Sequence, residues 1–314
     1  MTKIIKIMDT TLRDGEQTSG ISFREYEKLA IAKYLLVQAN VDAIEVGSAR
    51  VSEGEYKAVQ IICEWAKTKN LLDKVEVLAF VDKKISIDWI YKSGAKVANL
   101  LCKGSLKHLN EQLRKTPEEH VKSINEIIAH ASTLGIKVNI YLEDFSNGII
   151  NSGKYVFYLL DNIKGANRFM LPDTLGIFSP EEAYHYCNEV VRKYPNLEFD
   201  FHAHNDYSLA GANSLAAVKA GITRIHTTVN GLGERAGNCA LSTAVAVIND
   251  HSGSQTKVNE KKLNSLSKLV ESLCGIRLSP NAPIVGDNVF TQTCGVHADG
   301  DNKGNLYFNK LLPE

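Results

Sequence analysis

Eight short β-rich runs, each followed by a stretch with helical patterning, constrain this chain more than any other feature. The runs are 4–9 (IIKIMD), 41–48 (VDAIEVGS), 75–81 (VEVLAFV), 96–102 (KVANLLC), 137–143 (KVNIYLE), 167–172 (NRFMLP), 198–204 (EFDFHAH) and 224–230 (RIHTTVN). Most are near-continuously apolar, the pattern of parallel strands covered on both faces. Helix starts between them read as capping boxes at Ser22…Glu25, Ser52…Glu55, Thr116…Glu119 and Ser179…Glu182, with Pro117 and Pro180 at first helical positions. Gly94, Gly135, Gly165 and Gly221 mark helix ends before the next strand. Eight β-then-α units predict a closed (β/α)₈ TIM barrel over 1–255. An open dinucleotide-binding sheet would need G-x-G-x-x-G after its first strand, where this chain has DTTLRDGEQ. Residues 256–314 form a C-terminal extension, helical at about 257–275 and then Gly/Asn/Asp-rich, too long to be a casual loop.

Lys+Arg and Asp+Glu balance at 36 each, so nothing draws the whole chain to nucleic acid or an anionic membrane, and a small-molecule substrate is expected. The six cysteines form no C-x-x-C pair and several sit in apolar runs, as buried thiols do in a reducing compartment. With no signal peptide and no membrane-length apolar stretch, the sequence predicts a soluble cytoplasmic enzyme.

Chemistry in such barrels gathers at the C-terminal ends of the strands. Strand 1 ends in Asp9 and runs into Arg13-Asp14. Strand 5 ends in Tyr141 and Glu143, strand 6 in Asp173-Thr174, and strand 7 in His202 and His204. Residues i and i+2 of a strand share a face, so both imidazoles can reach one ion, and Asp9 at the matching end of strand 1 would complete a set for a divalent metal. A lone H-x-H is equally compatible with strand-end histidines hydrogen-bonded to loops. His108, His120, His130, His185 and His251 fall in helical stretches and read as surface residues. Arg13 beside a metal could polarise a carbonyl or bind a carboxylate, although Arg13-Asp14 also fits a salt-bridged turn, and Glu143 is a candidate partner for Arg13. The loop Asn230-Gly-Leu-Gly-Glu-Arg-Ala-Gly-Asn238 is rich for a plain turn, and Gly295-Val-His297-Ala-Asp299-Gly300 in the extension brackets a His and an Asp with glycines.

Three motifs, Asp9-Thr-Thr-Leu-Arg-Asp-Gly-Glu-Gln17, His202-Ala-His-Asn-Asp206 and Gly231-Leu-Gly-Glu-Arg-Ala-Gly-Asn238, together with the His297 segment, resemble the isopropylmalate, homocitrate and citramalate synthases. They span about 9–300. Barrel lyases that cleave hydroxymethylglutaryl-CoA share the first two motifs but not the third or the His297 segment. Asn139-Ile-Tyr-Leu-Glu-Asp144 and Leu100-Leu-Cys-Lys-Gly104 look most like citramalate synthases. The resemblance implies Claisen condensation of acetyl-CoA with pyruvate, 2-oxoisovalerate being the alternative acceptor. It implies a divalent metal (Zn²⁺, Mn²⁺ or Mg²⁺) on Asp9, His202, His204 and Asn238, with Leu78, Leu101 and Tyr141 lining the 2-oxo acid pocket. It further implies substrate contacts from Arg13, Asp14 and Thr174, an alkoxide-stabilising Arg13, and a base His297 supported by Asp299, Glu143 and Tyr307. The extension would cover the mouth of a partner subunit in a homodimer. Feedback-regulated synthases continue past this point into a linker and an allosteric domain, so the chain is expected to be a fragment or a short form. A C–C lyase and a non-catalytic barrel are the alternatives from other classes.

Overall fold

The computed structural model describes residues 2–307 and 310–311. Eight strands, β1 (Lys6–Asp9), β2 (Ala43–Ser48), β3 (Val75–Phe80), β4 (Val97–Lys103), β5 (Lys137–Glu143), β6 (Phe169–Asp173), β7 (Phe199–Ala203) and β8 (Arg224–Thr227), pair in parallel and in chain order. β1 returns to β8 with Lys6 opposite Arg224 and Asp9 opposite Thr227, which closes the barrel. The helices are α1 (Glu25–Lys33), α2 (Glu53–Thr68), α3 (Ile85–Ser93), the single turn α4 (Leu106–His108), α5 (Pro117–Thr133), α6 (Phe145–Asn162), α7 (Pro180–Lys193), α8 (Ala210–Lys219) and α9 (Leu241–His251). The extension carries α10 (Leu263–Cys274) and α11 (Gly295–Gly304). No helix among the described residues is long and apolar enough to cross a membrane.

Local chemistry explains several of these starts. The side chains of Ser52, Thr116 and Ser179 accept from the backbone N–H three residues on. The box expected at Ser22 does not form. Phe23 N donates to Glu16 Oε1 at 2.8 Å, which keeps the chain extended, and helix α1 starts from Arg24, whose N–H donates to Glu27. In the Gly/Asn/Asp-rich tail, α11 forms between Cys294 and a left-handed Asn305.

The main apolar core lies between the outer strand faces and the helices. The barrel interior is unusual in being ionic near the N-terminal strand ends. Arg168 donates to Asp200 at 2.5 Å and to Glu76 at 2.6 Å, and Arg224 lies 3.6–3.7 Å from the same two carboxylates. All four are buried. Removing one side of such a set leaves unpaired charges in a dry interior, so Arg168→Met should lower the unfolding free energy by about 3–5 kcal/mol. Denaturant unfolding at neutral pH checks this; an unchanged midpoint would contradict it.

Candidate metal and substrate site at the barrel mouth

After β1 the chain turns tightly back on itself: the Thr10 carbonyl accepts from the N–H groups of Arg13, Asp14 and Gly15 at 2.8–3.1 Å. That turn carries Asp14 to the two β7-end imidazoles. Ligand atoms of Asp14, His202 and His204 lie within 4.8 Å of one another, with His202 Nε2 3.5 Å from Asp14 Oδ2. Asp9, expected in this role, stands aside. Its Oδ1 accepts from Thr11 N at 3.0 Å and its Oδ2 from Thr227 Oγ1 at 3.3 Å. Burial also raises the Asp9 carboxyl to about 6, against those hydrogen bonds. Asp14 is buried too, but the Arg13 guanidinium beside it outweighs that and holds its carboxyl well below the usual range. The carboxylate of the cluster is therefore Asp14, and the expectation of Asp9 is corrected.

The glycine-rich loop brings the fourth member. Gly237 has φ +85°, and a Cβ there would collide with the Gly231 carbonyl, so the loop closes only on glycine. Arg235 ties the loop to Asp206 (2.8 Å) and to the Thr174 carbonyl (2.7 Å). Asn238 then donates to Asp14 Oδ1 at 3.1 Å. Asn238 Oδ1 and the Nδ1 atoms of His202 and His204 are buried without a hydrogen-bond partner among the described residues. Burial holds both imidazoles below their ordinary range, and thus neutral, as metal ligands must be. Two neutral imidazoles, an ionised carboxylate and an orphaned amide oxygen fit a divalent cation.

Arg13 is gripped on three sides. Its Nε donates to Glu45 at 2.6 Å, NH1 to Asp14 at 2.9 Å and NH2 to the Tyr141 hydroxyl at 3.4 Å. Glu45, fully buried on β2, also accepts from Thr10 Oγ1 and Asn99 Nδ2. Glu45 was missed in the sequence, although a Glu inside an apolar strand run is itself a signal of a buried partner. Leu78 and Tyr141 join Met8, Ala43 and Met170 in a small apolar cluster inside the barrel, with Leu101 packed against it. Thr174 Oγ1 accepts from Asp144 N at 2.9 Å.

Glu143 does not meet Arg13; it pairs with Lys103 at the end of β4. His120, read as a surface residue, is buried, and its Nε2 accepts from Lys103 N at 3.1 Å. Burial, with Lys115 and Lys103 adding, pushes that imidazole down to about 4. A group protonated more readily in the unfolded chain contributes stability above about 6.5 that is lost as pH falls towards 4. His120→Gln should therefore lose less stability than the parent between pH 7 and pH 4.5, read from denaturant midpoints; parallel losses would contradict this.

His297, Asp299 and Tyr307 sit together on the extension, exposed, with the His297 and Tyr307 rings 4.2 Å apart. Among the described residues no hydrogen bond or ion pair joins these three to the mouth of their own barrel. Beside Arg13 a cavity of about 480 Å³ opens between the β1 turn and the start of α2, lined by Arg24, Lys28, Ser48 and Ser52. A larger one, about 1090 Å³, lies under the extension against α9 and α10, away from the cluster.

A family model described as HMGL-like matches residues 4–270. The chain is 35% identical over 312 residues to an (R)-citramalate synthase of Methanocaldococcus jannaschii, covering 99% of this chain and 62% of that one. It is 37% identical over 321 residues to a 2-isopropylmalate synthase of Pyrococcus furiosus, covering 100% of this chain and 63% of the relative. The chain thus spans rather less than two thirds of these relatives' length. Among solved structures, a hydroxymethylglutaryl-CoA lyase from Pseudomonas aeruginosa superposes with a TM-score of 0.68 at 17% identity, over 88% of this chain and 95% of that one.

Proposed function

The chain belongs to the HMGL-like family, and on that footing we propose that it condenses acetyl-CoA with a small 2-oxo acid, pyruvate, to give (R)-citramalate and CoA. The observation that carries this reading is the buried Asp14–His202–His204 cluster set against Arg13 and an apolar wall. Asp14, His202, His204 and the Asn238 amide oxygen would hold the divalent cation. When bound, that ion supplies a Lewis acid and a template for the keto and carboxylate oxygens.

The chain's own residues do the rest. Arg13 keeps N–H donors free beyond its three partners and stabilises the charge that develops on the keto oxygen. The Thr174 hydroxyl donates to the substrate carboxylate. Leu78, Leu101 and the Tyr141 ring face the 2-oxo acid's alkyl end and, with the Tyr141 hydroxyl taken up by His226 and Arg13, offer no partner to a second carboxylate, which disfavours 2-oxoglutarate. His297, with Asp299 and Tyr307, takes the proton from the acetyl methyl, and the pair Lys103–Glu143 holds a carboxylate at the rim. Because His297 lies on the extension, a homodimer in which each extension serves the other barrel completes the site. The cavity beside Arg13 gives acetyl-CoA room to approach. Water then hydrolyses the thioester and drives the step forward.

The similarity to a 2-isopropylmalate synthase supports 2-oxoisovalerate as a second acceptor. Pyruvate and 2-oxoisovalerate differ by methyl-scale bulk, which an apolar wall discriminates by roughly 1–3 kcal/mol. A thiol-release assay with acetyl-CoA against pyruvate, 2-oxoisovalerate and 2-oxoglutarate tests the proposal. Release with pyruvate in excess is expected; preference for 2-oxoisovalerate would reassign the substrate, and no release with any acceptor would reject the condensation.

A further inference from the structure

We propose that His226, backed by Asp200, is a positioning residue that orients the Tyr141 hydroxyl and through it the Arg13 guanidinium. His226 is buried on β8, outside the cluster that would hold the cation. Its Nε2 lies 3.1 Å from Asp200 Oδ2 and its Nδ1 3.0 Å from the Tyr141 hydroxyl, with the two rings edge-on at 5.6 Å. The same hydroxyl accepts from Arg13 NH2.

For an uncharged imidazole the chemistry of the four groups leaves one arrangement of protons. Asp200 is anchored by Arg168 and can only accept, so it takes a proton from His226 Nε2. A neutral imidazole with its proton on Nε2 has a bare Nδ1, which can only accept. Tyr141 therefore donates its O–H to His226 and turns its lone pairs to Arg13. Were the imidazole in the other tautomer, the hydroxyl proton would be turned away from His226, against a cation. The barrel's ionic interior thus reaches the mouth by a single file: Arg168, Asp200, His226, Tyr141, Arg13. A series of buried polar groups costs desolvation at every step, and an apolar side chain at 226 would pack without that cost. The file earns its place by fixing the third grip on Arg13.

The inference rests on the condensation proposed above for its kinetic consequence, but not for its structural one. In the metal-free protein, ¹⁵N spectra of labelled histidine should show His226, assigned by its loss in His226→Gln, as the Nε2–H tautomer, with the Nδ1 resonance moving towards the unbonded position in Tyr141→Phe. In kinetics, His226→Gln should lower kcat by about 10–100-fold, the range for residues that orient a working group, with KM for acetyl-CoA unchanged. In the Tyr141→Phe background the same replacement should cost no more than about twofold, because its route to Arg13 is already cut. An Nδ1–H tautomer, or equal losses in both backgrounds, would overturn the assignment. A protein that condenses nothing yet shows the Nε2–H tautomer and the Tyr141-dependent shift would reject the proposed function while supporting the positioning role.

Discussion

Asp14→Ala should lose the divalent cation and turnover together, while Asp9→Asn keeps the ion within a few-fold of the parent affinity. The two aspartates lie five positions apart on one turn, yet their surroundings separate them. Asp14 is held ionised by Arg13 and faces His202 and His204. Asp9 is half-protonated near pH 6 through burial and is occupied by Thr11 and Thr227. Affinity in Asp14→Ala should fall by more than the ~100-fold typical of losing a residue that merely supports a ligand. Equilibrium dialysis with Mn²⁺ or Zn²⁺ and elemental analysis gives the number. Equal losses in both variants would mean that Asp9 shapes the site as much as Asp14 does.

Arg13→Lys is the second large effect. A lysine carries the charge but offers one compact ammonium, which cannot reach Glu45, Asp14 and Tyr141 and still present donors to a substrate oxygen. Losing a preorganised donor aimed at developing charge costs ~10²–10³ in kcat. The cation should stay bound, since Asp14, His202, His204 and Asn238 are intact. Steady-state kinetics beside a metal titration separates the two outcomes. A variant within a few-fold of the parent kcat would remove Arg13 from the chemistry.

The barrel was legible because parallel strands buried on both faces must be apolar almost throughout, and runs such as VEVLAFV say so without any help from tertiary structure. His202 and His204 were legible for a similar reason: the period of two puts them on one face of β7. Asp9 misled because the rule that chemistry sits at strand ends picks the last strand residue. It cannot see a turn in which Thr10 folds Arg13 and Asp14 back over the mouth. Glu45 was hidden inside an apolar run, where the informative feature was its being polar at all, and His226 in a strand already rich in polar residues, RIHTTVN, where one more carried no signal. His120 shares the stripe of Ile124, Ile127 and Ala131, so its burial follows from helical spacing once the inward face of α5 is recognised.

The proposed condensation requires an ion at Asp14, His202 and His204 to hold the 2-oxo acid beside Arg13. Calorimetric titration of pyruvate into the Mn²⁺-loaded protein and into the same protein after chelation tests that most directly. Saturable binding to the loaded protein and none to the chelated one is the predicted result. The same affinity in both would contradict it.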